Sequence, residues 1–188
     1  MFKRLLLTGP LILALALVIP AHADTIVYST ILLGSNEVPP TGSPATGTGL
    51  FTLNGNFLTI NESFTGLTAP ATAAHIHCCG PVGVNEMVAV PFTPFPNATS
   101  GTFNTTVDLS LASTYTAGFI TQEGGTVALA EAGFIAALNS GNTYANIHNA
   151  NFPGGEIRGQ ITPEPSTLLL LGTGLIATLQ VARRRIRA

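Results

Sequence analysis

His75 and His77 stand one residue apart in Ala73-Ala74-His75-Ile76-His77. On a β-strand, residues i and i+2 project from the same face, so two imidazoles at this spacing can turn their nitrogens to one ion. Imidazole suits copper or zinc. His148, in Tyr144-Ala145-Asn146-Ile147-His148, is the only other histidine between the two ends of the chain. A strand pairing that set it beside the first two would complete a three-histidine constellation. The competing expectation is three partly exposed strand histidines hydrogen-bonded to neighbouring backbone.

Cys78 and Cys79 follow His77 directly and are the only cysteines. Neighbouring cysteines can close only a strained eight-membered ring, which departs from ordinary disulfide geometry. Four states are open on the sequence: a vicinal disulfide, a reduced pair, bridges to other molecules, and metal ligation beside His77.

Glu156 and Arg158 have the same i, i+2 relation, so on a strand they share a face. Arg158 is the lone cation of the central region and calls for an acidic partner, with Glu37 and Glu156 the candidates for a structural ion pair. No catalytic residue is assigned. The chain has no Gly-x-Ser-x-Gly, no His-Glu-x-x-His and no phosphate-binding glycine loop. Sequons begin at Asn61, Asn97 and Asn104 and fit a Thr-rich composition without implying glycosylation.

The elements that must position these residues lie between two removable ends. Lys3 and Arg4 open the chain, an almost unbroken apolar run follows from Leu5 to Ile19, and Ala21-His22-Ala23 supplies a small-x-small site for signal peptidase. Cleavage is expected after Ala23, making residues 1–23 a signal peptide. At the other end Pro163-Glu164-Pro165 precedes an apolar stretch from Ser166 to Ala182, closed by Arg183, Arg184, Arg185 and Arg187. A basic cluster holds its end of a span in the cytoplasm, so the body before Pro163 is expected outside. Both ends are expected to be hydrophobic helices.

The body from Asp24 to Thr162 is about 139 residues long, ordinary for one domain. It holds eight acidic residues against Arg158 alone, a net charge of about −7 with histidine neutral. Nucleic-acid binding rests on cationic contacts to phosphate, so DNA and RNA are excluded as partners.

Richness in Thr, Ser, Asn, Gly and Pro points to a turn-rich, mostly β domain, a sandwich or barrel. Strands are expected at Thr25–Leu33, Leu50–Leu53, Phe57–Phe64, Ala73–Cys78, Val84–Val90, Thr102–Leu109, Tyr144–His148 and Glu156–Ile161. Asn54-Gly55 marks a hairpin, since both residues tolerate the positive φ of a tight primed turn. One short helix is expected at Ala128–Leu138, stopped by Asn139 to Gly141.

Two resemblances emerge from these motifs. Pro163-Glu164-Pro165-Ser166, the apolar stretch and the arginines, residues 163–188, look like a PEP-CTERM sorting signal. That resemblance implies a Gram-negative bacterium, transient anchoring in the inner membrane, and recognition by an exosortase. It also implies delivery to the cell surface or an exopolysaccharide matrix. Ser35-Asn36-Glu37-Val38-Pro39-Pro40, Ala73 to His77, Tyr144 to His148 and Pro153-Gly154-Gly155-Glu156-Ile157-Arg158-Gly159-Gln160 together resemble the CHRD domain, named for chordin. This second resemblance implies an extracellular module of immunoglobulin-like or superoxide-dismutase-like β architecture and no general activity. Three histidines are too few for the two-metal dismutase site.

The favoured expectation is therefore a non-enzymatic surface or matrix module whose partners are exopolysaccharide or surface proteins. The alternative is a copper- or zinc-binding domain, with redox chemistry open to it, built on the His-x-His pair.

Overall fold

The computed structural model describes residues 25–164. The expected terminal helices, the cleavage site at Ala21 and Ala23, and Pro165 and Arg183 to Arg185 lie outside the described residues. Among the described residues no helix is long and apolar enough to cross a membrane.

The protein is mostly β. Eight strands, β1 (Ile26–Leu33), β2 (Thr46–Asn54), β3 (Phe57–Thr65), β4 (Ala71–Cys78), β5 (Met87–Pro91), β6 (Gly101–Asp108), β7 (Thr143–Asn149) and β8 (Ile157–Pro163), form one antiparallel sheet. Its order is β5-β4-β7-β8-β1-β2-β3-β6, and it curls into a half-barrel. Alternation along each strand sends one set of side chains inward. Tyr28 and Leu32, Phe51 and Leu53, Leu58 and Ile60, and Ala74 and Ile76 fill that interior.

The β2–β3 hairpin forms, but its turn differs from expectation. Asn54 pairs with Phe57 and ends the strand, leaving Gly55-Asn56 as the loop, with only Gly55 at positive φ (57°). Glycine at the first loop position suits the II′ type of two-residue turn.

The 109–142 connection carries two helices where one was expected. The longer, α2 (Val127–Asn139), is capped by the Thr126 hydroxyl, which accepts from the Leu129 amide. Phe134 and Leu138 are buried on one side of it. The shorter, α1 (Ala117–Gln122), has the same kind of cap, Thr116 accepting from Phe119 N–H. Six residues that include Gly118 have little intrinsic helicity. Docking of Phe119 against Tyr115 and Phe134 sustains the turn, which is why the sequence did not disclose it.

Candidate metal centre

Strands β4, β7 and β8 each spend one face on the core. Ala74, Ile76 and Cys78 of β4, with Ala145 and Ile147 of β7 and Ile157 and Ile161 of β8, point inward. The opposite face carries His75 and His77; Tyr144, Asn146 and His148; and Arg158 and Gln160. Register sets these in rows: Ala73 faces His148, His75 faces Asn146 and His77 faces Tyr144, while Asn146 in turn faces Arg158. His148 is thus diagonal to His75.

The three histidines come together. His75 Nδ1 lies 3.1 Å from His77 Nε2, the His75 and His148 ring centroids are 4.5 Å apart, and one nitrogen from each ring falls within 4.8 Å of the other two. Two nitrogens bound to one zinc at about 2.1 Å each can be no more than about 4.2 Å apart. The widest pair therefore has to close by at least about 0.6 Å, a side-chain rotation rather than a backbone move.

Loops over this face fix the ring orientations. His77 Nδ1 is 2.6 Å from the Glu86 carbonyl, and His148 Nδ1 is 2.9 Å from the Pro153 carbonyl. A carbonyl can only accept, so each Nδ1 carries the proton and each Nε2 keeps its lone pair. Backbone acceptors on the outer ring nitrogen are the usual support of metal-ligating histidines. His148 Nε2 is buried and has no hydrogen-bond partner. Burial, aided by the neighbouring His148 and His77, pushes the pKa of His75 down to about 3. For His77 burial brings it to about 4, with the Glu86 carbonyl opposing and His148 and Arg158 assisting. His148 is lowered by burial against the pull of Pro153. All three rings are neutral at pH 7, so none has to lose a net proton to bind an ion, but the proton His75 Nδ1 donates to the His77 Nε2 lone pair has to shift to the other His75 nitrogen.

The surrounding polar groups hold the frame. Tyr144 stacks on His77, centroids 4.5 Å apart, and the Arg158 guanidinium lies over the other partner ring, 4.5 Å from the Tyr144 centroid. Arg158 donates through Nε to the Asn36 carbonyl at 2.7 Å and through Nη1 to Asn85 Oδ1 at 2.7 Å. Its carboxylate neighbour is Glu37, 4.0 Å from Nε. Burial raises the Glu37 pKa to about 7, opposed by Arg158, by the Asn146 amide and by the Val38 backbone N–H.

Three sequence expectations need correction here. Cys78 and Cys79 are joined to each other in a disulfide, so they offer no thiolate, and the three histidines alone remain as candidate ligands. Glu156 is not the partner of Arg158. It precedes β8 and turns the other way, where its carboxylate accepts from the Ser43 hydroxyl at 2.6 Å, the Thr68 amide at 2.9 Å and the Asn149 side chain. Val84 to Glu86 are not strand but loop, their polar groups being used by Arg158 and His77 instead of a ladder.

Tyr144, Asn146 and Asn85 went unnoticed in the sequence. Only Tyr144 and Asn146 carried a signal, their i, i+2 spacing with His148.

The fold and site define a β half-barrel with a three-histidine cluster on its outer face. Residues 28–161 match the CHRD domain and residues 162–186 the PEP-CTERM protein-sorting motif. The chain belongs to the CHRD domain family, and its tail marks an exported, exosortase-processed protein of the Gram-negative cell surface or extracellular space. No curated protein and no solved structure matches it.

Proposed function

We propose that the exported domain is a binding module, not an enzyme, and that it takes up one copper or zinc ion through His75, His77 and His148. The observation that carries this reading is the convergence of three neutral ring nitrogens, one of them, His148 Nε2, buried without a partner. An orphaned buried acceptor costs about 1–3 kcal/mol, which an ion would recover. Three protein nitrogens leave a position open on a four-coordinate ion. Bound there, copper would supply one-electron chemistry and zinc a Lewis acid. A second ligand set for a dismutase centre is absent among the described residues.

The companion reading is matrix attachment through the outer face of β2 and β3. Thr46, Thr48, Asn61, Ser63 and Thr65 are exposed there and carry no charge, which suits a polyhydroxylated polymer.

The test is elemental analysis of the protein recovered from the cell surface, beside His148→Ala and His75→Ala/His77→Ala variants. About one equivalent of copper or zinc is expected in the wild type and less than a tenth of that in either variant. A wild-type protein that holds no metal after growth with both ions, and takes up none on titration, refutes the proposal.

A further inference from the structure

The last strand of the sheet ends inside the sorting motif. Thr162 pairs with Ser29, Pro163 pairs with Tyr28, and the Glu164 amide donates to the Val27 carbonyl at 2.9 Å. The first two residues of Pro163-Glu164-Pro165 are therefore part of the folded domain. Nothing intervenes as a linker, because the apolar stretch begins at Ser166.

β8 is also a central strand, between β7 and β1. Its pairing with β7 stops at Ile161, opposite Thr143, so beyond that point only β1 holds it. A central strand that comes last in the chain inserts only when the C-terminal region is already outside. β8 lies before the apolar stretch, so the sheet can be completed while the tail is still attached. Enzymes that read peptides as extended segments need main-chain groups free to pair with their own, and here those groups are pledged to β1.

We propose that the sheet masks the start of the sorting motif, and that exosortase acts on molecules in which the end of β8 has peeled from β1. The Thr162–Glu164 segment is a one-sided zipper, paired firmly enough to hold and short enough to open without unfolding the domain. Losing one main-chain hydrogen bond of ordinary net strength raises the open fraction about fivefold. This inference does not depend on the metal centre.

The experiment follows conversion of the full-length precursor to its processed form by pulse-chase, in a host carrying the cognate exosortase. One variant inserts Gly-Ser-Gly-Ser between Thr162 and Pro163, which frees the motif and leaves its sequence intact. A second, Ser29→Cys/Thr162→Cys, locks the zipper. Residues directly opposite in an antiparallel pair have Cα atoms about 4.5–5.5 Å apart, within disulfide range. Thermal melting of each domain confirms that it folds. Processing about fivefold or more faster in the insertion variant, and slowed in the locked one until reductant is added, is the expected result. A folded insertion variant processed at the wild-type rate, or a lock that leaves the rate unchanged, overturns the proposal.

Discussion

Glu62 makes the protein's stability depend on pH in an unusual direction. It sits on the inward face of β3 between Ile60 and Phe64, with only 2% of its surface exposed. Neither carboxylate oxygen has a hydrogen-bond partner. Its row neighbours across the sheet are Gly49 on β2 and Phe103 on β6, and neither offers a donor side chain. Burial raises its pKa from 4.5 to about 8. Between those values the folded state keeps a proton that the unfolded chain has lost, so stability falls as pH rises from 4.5 to 8 and levels off above. Each pH unit in that window costs about 1.4 kcal/mol, or about 4 kcal/mol between pH 5 and pH 8.

The perturbation is Glu62→Met, which keeps length and removes the titrating group. Urea unfolding of both proteins, metal-free, at pH 5, 6, 7 and 8 gives the free energies by linear extrapolation. The histidines and Glu37 also titrate across this range, but they are common to both proteins and cancel in the difference. The variant should gain on the wild type by about 4 kcal/mol more at pH 8 than at pH 5. Parallel pH profiles for the two proteins would refute the assignment of a buried neutral acid to Glu62.

Two further substitutions probe the loop that leads into β8. Glu156→Ala strands the donors of Ser43, Thr68 and Asn149, and should cost about 1–3 kcal/mol for each donor left without water in the same urea assay. Gly155→Ala places a methyl group on a residue at φ 123°, 2.6 Å from both Asn146 Nδ2 and Glu37 Oε1. It should lose at least about 2 kcal/mol of stability and disturb the Asn146–Glu37 bond, read as a shift of the Asn146 side-chain amide in NMR spectra.

Local pattern carried most of the fold. Period-two alternation and turn residues located β1, β2, β3, β4, β6, β7 and β8 to within a few residues, because most of their inward positions are apolar, with Glu62 an exception. β5 was drawn too early because Val84 was joined to the Val88–Val90 run across Asn85 and Glu86, whose polar groups are used by Arg158 and His77 instead of a ladder. That His75 and His77 share a face follows from their spacing alone. That His148 approaches them does not, since it depends on which strand lies beside β4, and β7 is some 70 residues away in the chain. Glu156 was misread for the complementary reason. The i, i+2 rule holds within a strand, and β8 begins only at Ile157.

The same alternation explains why a three-histidine cluster can sit on this sheet without weakening it. Strands β4, β7 and β8 bury one face in the half-barrel, and that face is apolar wherever the site lies behind it. Their other face would be solvent-exposed in a bare sheet, where histidine, asparagine and arginine cost nothing in particular. The loops at 34–43, 79–86 and 150–155 cover it, and they desolvate those side chains while returning hydrogen bonds from Asn36, Asn85, Glu86 and Pro153. The loop carbonyls thus orient the rings of His77 and His148, while the sheet sets the face that all three share. It follows that loop changes should alter the site while leaving the core intact, and core changes the reverse. Pro153 reaches His148 through its carbonyl, and Glu86 reaches His77 and Tyr144 through its carbonyl and N–H, so the path of the backbone through them is what orients these rings.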